Sequence, residues 1–254
     1  YFSPTNGTQA YVSALARALS ADYEAIDLTD PSVREQPHEF DGESLVILGA
    51  PVYSGRLPSL AGGLFDRLRG HGTPAVFNVS YGNRHYDDAL LEETELCESL
   101  GFHGIAAAAW VAPHAFTPRL GAGRPDEADL RAVEDFARRI REILARPDWR
   151  TAQLCVPGSH PYKKVNKVPF YPLGEEHCTR CGICAEICPV RAIPVSAPCT
   201  TDPEACIACL ACVAACPVRA RDVAALVAPA FQATVRRLED NFLTPARAPE
   251  TFTL

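Results

Sequence analysis

Short apolar runs alternate with helical patterns over the first 145 residues of the chain. Continuous apolar runs at 44–52, 74–81 and 105–111, with a shorter one at 25–28, predict strands. Strands that are apolar along their whole length are typical of a parallel sheet covered on both faces. An apolar stretch is also expected before Phe2, so the first residues predict the end of a further strand, which makes five.

Amphipathic patterns lie between these strands, at 8–19, 59–68, 85–100 and 130–144, and predict helices. Alternation of strands and helices implies right-handed crossovers. We therefore expect an α/β fold with a doubly wound, five-stranded parallel sheet over residues 1–145.

The rest of the chain divides by composition. Residues 146–174 contain five prolines and two glycines, which predicts an extended linker. Its three lysines, Lys163, Lys164 and Lys167, are either a solvated charged stretch or a docking site for an acidic redox partner. Residues 175–221 form a cysteine-rich module, and 222–254 predict a C-terminal helix over 223–242, with Leu226 and Phe231 on its apolar face, followed by a loose tail.

Cysteine content and charge narrow the class of protein. The chain has 11 cysteines, nine of them from Cys178 to Cys216, and a formal net charge of −7. No export signal or membrane-length apolar run is visible, so metal ligation in a reducing cytoplasm is favoured over a disulfide framework. The negative charge argues against nucleic acid or an anionic membrane as partner.

Two identical motifs of the form C-x2-C-x2-C-x3-C-P follow each other at an offset of 28 residues, and Pro-Val-Arg-Ala follows the fourth cysteine both times. In such runs three closely spaced thiolates wrap one 4Fe-4S cluster, and the fourth reaches the other cluster. Structural zinc is the alternative, but zinc sites use separated two-ligand knuckles. The sequence therefore predicts two 4Fe-4S clusters. The expected ligand sets are Cys178, Cys181, Cys184 and Cys216 for cluster one, and Cys206, Cys209, Cys212 and Cys188 for cluster two.

Three loops that follow predicted strands form a second candidate site. In open α/β sheets, ligands bind at the carboxyl ends of the strands. The first loop could hold a phosphate at a helix N-terminus, although an ordinary helix cap explains that loop equally well when it is taken alone. Tyr53 or Tyr81 could stack on a planar ring, and Gly55 and Gly82 could allow its close approach. Together the loops predict a bound FMN. The residues are Ser3, Thr5, Asn6, Gly7 and Thr8; Pro51, Val52, Tyr53, Ser54 and Gly55; and Ser80, Tyr81, Gly82, Asn83 and Arg84.

The motifs F-S-P-T-N-G-T, P-V-Y-S-G-R-L-P and Y-G-N-R-x-Y-D-D resemble the phosphate loop and the two ring loops of flavodoxins. A flavodoxin-like domain followed by a two-cluster module resembles the flavodoxin–ferredoxin fusion proteins known as EFR-type ferredoxins. The resemblance implies a flavodoxin-like sheet, a small α+β ferredoxin module, FMN, two 4Fe-4S clusters and electron transfer.

Electron transfer between clusters and FMN needs no acid or base, so no catalytic residue is predicted. Two alternatives stay open. FMN fed by the clusters could reduce a small organic acceptor, with residues 112–125 lining its pocket. The second alternative is a redox sensor that controls a partner, although no nucleic-acid motif appears in the sequence.

Overall fold

The computed structural model describes residues 1–165, 167–225 and 227–254. In chain order the helices and strands are α1 (Gly7–Leu19), α2 (Pro31–Arg34), β1 (His38–Phe40), β2 (Val46–Pro51), β3 (Leu68–Gly70), β4 (Thr73–Tyr81), α3 (Ala89–Ser99), β5 (Phe102–Val111), α4 (Glu127–Leu144), a 3-10 helix (Pro147–Thr151), β6 (Pro172–Gly174), α5 (Ile183–Glu186), α6 (Ala211–Ala214), β7 (Arg221–Val223), α7 (Ala228–Phe242) and β8 (Glu250–Thr253).

The main sheet has the strand order β2–β4–β5–β8. Its first three strands are parallel and correspond to the predicted ones, whereas β8 is antiparallel to β5. Beside β2, Phe2 N donates to Gly49 O at 2.9 Å and Leu28 N donates to Tyr1 O at 2.8 Å. Residues 1–2 therefore run between β2 and the segment around Leu28, but neither segment forms an assigned strand. The five-stranded flavodoxin-like sheet stays a prediction.

Helices cover both faces of this sheet. Every residue of β4 is buried, because alternate side chains enter two separate apolar layers. Val76 packs with Tyr11 of α1 and Phe136 of α4, whereas Phe77 packs with Leu90 of α3. The continuous apolar runs in the sequence therefore reflect burial from two sides.

Two sequence-based predictions about local structure are wrong. Residues 59–68 are not helical, because Gly62 and Gly63 adopt positive φ angles of 82° and 77° and turn the chain into β3. The tail after Thr244 is not loose: its last residues form β8, which pairs with β5, and Phe252 packs against the core.

The cysteine-rich module contacts the larger part of the chain. Strands β6 and β7 pair antiparallel at its edge. Arg34 donates to Pro189 O at 2.7 Å, and Arg191 pairs with Glu35 at 2.5 Å. The helix predicted from residue 223 begins at Ala228, where Phe231 packs edge-on to Phe116 and Phe170. Helix α7 thus joins the two parts, since its Phe231 lies in one apolar cluster with Phe116 and Leu210. Leu226, predicted on the apolar face, lies outside the described residues.

No helix in the described ranges is both long enough and apolar enough to cross a bilayer.

Candidate functional site

The internal duplication is visible in the backbone of the cysteine motifs. Three positions in each motif adopt the left-handed conformation, and each lies 28 residues from its counterpart. This conformation reverses the chain tightly and directs backbone N–H groups inward. The pairs, with their φ angles, are Arg180 and Ala208 (57° and 54°), Gly182 and Leu210 (85° and 59°), and Arg191 and Arg219 (52° and 52°).

These turns direct amide groups onto the first and fourth sulfurs of each motif. Arg180 N donates to Cys178 Sγ, and Ala208 N to Cys206 Sγ, both at 3.4 Å. In the repeated Pro-Val-Arg-Ala segment the alanine N–H returns to the fourth cysteine. Those bonds, from Ala192 to Cys188 and from Ala220 to Cys216, are both 3.2 Å long. Amide donors stabilise negative charge on thiolate ligands and on the cluster they hold.

One cavity contains the first predicted ligand set. It is lined by Cys178, Cys181 and Cys184 of the first motif together with Cys216 of the second. The structure therefore brings a fourth cysteine from one motif to three cysteines of the other, as the ligand exchange between motifs requires.

The second ligand set is more deeply buried. Burial, followed by the nearby sulfurs of Cys212, Cys188 and Cys206, raises the pKa of the Cys209 thiol to about 12. Cys188, from the first motif, thus lies with the three cysteines of the second. Thiols this dry and crowded ionise when a metal compensates the charge, which is the chemistry a cluster supplies. The donor set fits 4Fe-4S ligation.

Among the described residues no three His, Cys, Asp or Glu side chains converge on a single metal ion. Four sulfurs at about 2.3 Å from one zinc lie about 3.8 Å from each other. A four-iron cubane is larger than one ion, so its ligand sulfurs stand farther apart.

The three loops of the predicted flavin site meet at the carboxyl ends of β2 and β4. A cavity of about 40 Å³ next to the start of α1 is lined by all three loops. Thr8 Oγ1 and Ser80 Oγ form a hydrogen bond of 2.7 Å that links the first loop to the third. The predicted residues that line this cavity are Ser3, Thr5, Gly7, Thr8, Pro51, Val52, Ser80, Tyr81 and Gly82.

A larger cavity of about 650 Å³ adjoins it and shares Val52, Tyr81 and Gly82. Tyr53, Ser54, Gly55 and Arg84 also line it. Asn6 and Asn83 line neither cavity.

Some predicted residues have a role within the chain. Ser3 Oγ accepts a hydrogen bond from Gln9 N at 3.0 Å, so Ser3 caps α1. The Asn83 amide donates to Phe242 O at 2.6 Å, and its Oδ1 accepts from Arg247 N at 2.8 Å, so Asn83 holds the C-terminal segment.

The two loop glycines make close approaches inside the protein. A Cβ at Gly55 would lie 2.0 Å from Asp87 Oδ2, and one at Gly82 would lie 2.4 Å from His114 Cδ2. These approaches explain why glycine is needed at both positions, and they involve the chain's own side chains.

The larger cavity has a basic lining. Five Lys or Arg residues and two histidines border it, and no acidic residue is among the described residues that do so. Burial, with Arg84 as a second cause, lowers the pKa of His114 to about 4. The Tyr81 hydroxyl is buried and has no hydrogen-bond partner among the residues that the structure describes. The Lys and Arg residues are Arg84, Lys163, Lys164, Lys167 and Arg237.

Sequence reasoning did not identify Arg237 as part of this lining, because it is far from the three loops in sequence. His114 lies within the 112–125 segment that was expected to line a pocket over the flavin. Sequence reasoning assigned the linker lysines to solvent or to partner docking. All three lysines are exposed; Lys163 pairs with Asp87 at 2.6 Å, and Lys167 with Glu204 at 2.8 Å. Docking of a partner stays a prediction.

Residues of the second cysteine motif also border the larger cavity. Ile207 and Ala208, which lie between Cys206 and Cys209, line it opposite the loop that carries Tyr53. Burial, and then the sulfurs of Cys209 and Cys206, raises the pKa of Tyr53. The cavity and the second cysteine set are therefore neighbours.

The other cysteines occupy different environments. Cys97 is fully buried in the core. Cys155 is exposed, and Cys199 is partly buried.

Comparison with known proteins identifies the cysteine module. Residues 171–193 and 200–222 each match the 4Fe-4S binding domain family. No curated protein and no solved structure matches the chain. The two matched segments coincide with the two halves of the duplicated module and fit two clusters. The chain therefore contains a 4Fe-4S ferredoxin domain near its C-terminus, a domain that serves iron–sulfur electron transfer.

Proposed function

We propose that the protein transfers electrons between its two 4Fe-4S clusters and a bound FMN. The observation that carries the proposal is the 650 Å³ cavity, which is lined both by the predicted flavin ring loops and by Ile207 and Ala208 of the second cysteine motif. A planar redox group in this cavity would lie next to cluster two, with Ile207 and Ala208 of the cysteine motif between them.

Burial supports an order for the electron path. In the first set Cys181 is exposed, Cys178 and Cys216 are partly buried, and only Cys184 is buried. In the second set only Cys206 is partly buried, and the other three cysteines are buried. Cluster one is therefore the port for an external one-electron partner. Cluster two is the inner site, next to the flavin cavity.

The residues present suit FMN. The first turn of α1 offers backbone N–H groups that lack intrahelical acceptors, and these stabilise a phosphate dianion. Thr5 and Thr8 add hydroxyl groups at the same cavity. In the described part of the chain Lys164 and Arg237 form no ion pair, so their charges in the lining of the larger cavity favour an anionic occupant. FMN accepts one or two electrons and so links single-electron and hydride-type chemistry.

The test is anaerobic purification with iron, sulfide and flavin quantified per chain. We expect about eight iron atoms, about eight sulfides and one FMN. Iron without flavin, together with no FMN binding by the purified chain, would contradict the proposal.

A matched pair of variants on α7 locates the flavin. Ala230 lines the larger cavity, whereas Ala233 is exposed and does not. Ala230→Trp fills the cavity and should weaken FMN binding at least tenfold, with the iron content retained. Ala233→Trp should change neither. Equal FMN binding by both variants would place the flavin elsewhere.

A second function, reduction of a small organic acceptor by FMN, is favoured by one observation. His114 and Phe116, within the 112–125 segment expected to line such a pocket, border the cavity. Steady turnover of a quinone or nitro compound with a reduced low-potential donor would support it. Cluster-dependent binding of a partner without electron throughput would instead indicate a redox sensor.

A further inference from the structure

The duplication gives the module two equivalent surfaces, one around each set of cysteines. The cluster-two face consists of residues 189–191 and 207–211. Its counterpart at the offset of 28 residues is the cluster-one face, which consists of residues 217–219 and 179–183. Both faces contain the same left-handed turns, so what distinguishes them is what their side chains contact.

The cluster-two face is covered by other parts of the same chain. Leu210 is buried in one apolar cluster with Phe116, and Ile207 packs against the main core. Arg191 forms an ion pair of 2.5 Å with Glu35, and both side chains keep more than half of their area exposed. This face therefore docks through an apolar centre with an arginine–carboxylate pair at its rim, which is the usual anatomy of a protein interface.

The cluster-one face is open. Ile183 and Val218 are 37% and 41% exposed, and both border the cavity that holds the first cysteine set. Arg219, the counterpart of Arg191, is exposed, and so is Arg180. In the described ranges neither of these two arginines forms an ion pair. Exposed apolar side chains beside unpaired charges are typical of a surface that binds another protein.

We propose that the cluster-one face docks an acidic one-electron carrier protein. Its apolar contact would cover Ile183 and Val218, and its carboxylates would pair with Arg180 and Arg219, as Glu35 pairs with Arg191 within the chain. A second copy of this chain does not suit the face, because the matching surface of each copy is covered by its own module. The proposal rests on the proposed function and adds the chemistry of the partner at cluster one.

The salt dependence of electron transfer distinguishes this face from the charge of the whole chain. The net charge of −7 repels an acidic protein, and added salt would then accelerate the reaction. Two unpaired arginines at the contact attract it instead. At about 0.1 M salt the screening length is about 10 Å, so the charges at the contact outweigh distant ones. We therefore expect salt to slow the reaction.

Stopped-flow mixing of the reduced full chain with oxidised rubredoxin, a small acidic one-iron protein, measures this rate. The second-order rate constant should fall as NaCl is raised from about 0.05 M to about 0.5 M. A rate constant that rises or stays constant would overturn the proposal. This measurement uses the wild type and does not depend on any variant assembling its clusters.

Matched variants then locate the contact. Arg180→Glu combined with Arg219→Glu should lower the rate constant roughly tenfold or more at about 0.05 M salt. Arg131→Glu makes the same kind of charge change at an exposed position of α4 and should have less than about half that effect on a logarithmic scale. Val218→Ser should slow the reaction about threefold, whereas Leu130→Ser, at a 43% exposed position of α4, should not.

The iron content of each variant is measured alongside the rate. An unchanged rate in the double arginine variant with both clusters present would overturn the proposal, and so would equal slowing by Arg131→Glu and the double variant. Electrons pass from the clusters to rubredoxin without FMN. A chain that holds clusters but no flavin would therefore contradict the proposed function alone, and a wrong salt dependence in a chain with both cofactors would contradict only the docking.

Discussion

Replacing two cysteines together tests which of them share a cluster. Cys181 and Cys216 come from different motifs but line one cavity. Cys188, from the first motif, lies with the sulfurs of the second. If each of the two cysteine sets holds one cluster, Cys181→Ala with Cys216→Ala removes two ligands of the same cluster. Cys181→Ala with Cys188→Ala removes one ligand from each.

The two double variants should therefore differ in iron content. The Cys181/Cys216 variant should keep cluster two and about four iron atoms per chain, half of the wild-type content of about eight. The Cys181/Cys188 variant should lose both clusters and contain almost no iron. If each motif instead held its own cluster, the Cys181/Cys216 variant would lose both clusters and the Cys181/Cys188 variant would keep one.

The assay is iron and sulfide per chain after anaerobic purification, with spin quantification of the reduced protein. Cys155→Ala is the control, since Cys155 is exposed and outside both motifs, and it should retain the full iron content. An iron-free Cys181/Cys216 variant beside a Cys181/Cys188 variant with one intact cluster would refute the cross-ligation.

Three further predictions concern the larger part of the chain. Because burial lowers the pKa of His114 from 6.5 to about 4, the unfolded chain binds the extra proton, and stability falls as pH falls through this window. Between about pH 7.5 and about pH 5.5 the free energy of unfolding should drop about 1 kcal/mol more in the wild type than in His114→Gln, measured by denaturant unfolding. Asp129→Asn should cost about 3 kcal/mol in the same assay, because the fully buried Asp129 pairs with Arg124; a change below about 1 kcal/mol would contradict a buried ion pair. Asn83→Ala should cost about 1–3 kcal/mol and leave FMN affinity unchanged, since its amide bonds the C-terminal segment; weaker FMN binding at unchanged stability would make Asn83 a flavin ligand.

Sequence reasoning succeeded where the pattern was local and repeated. The cores of β2, β4 and β5 are continuous apolar runs, and α1 and α4 are amphipathic with one buried face. It failed at 59–68, where an apolar pattern of helical spacing contains two adjacent glycines in left-handed conformations. Helix propensity there is weaker than the tendency of the glycines to turn.

The role of the last residues was hidden for a different reason. Glu250–Thr253 is too short to be recognised as a strand on its own, and it becomes one by pairing with β5, more than a hundred residues earlier in the chain. The hydrogen bonds of Asn83 are equally distant in sequence, because its partners are Phe242 and Arg247. Neither contact leaves a periodic signal.

The sequence alone determined the cluster chemistry. Ligand type and spacing are set by residues within 11 positions of each other in each motif, and the offset of 28 shows the duplication directly. Such short-range features can be recognised without knowledge of the fold, because a tight cysteine loop has few ways to wrap a cubane.

Only the tertiary structure decided what surrounds that chemistry. It brought Ile207 and Ala208 to the cavity of the predicted flavin loops and placed Arg237 of α7 in the same lining. These arrangements join segments far apart in the chain. Burial and electrostatic interactions depend on distances in space, so residues far apart in the sequence determine them.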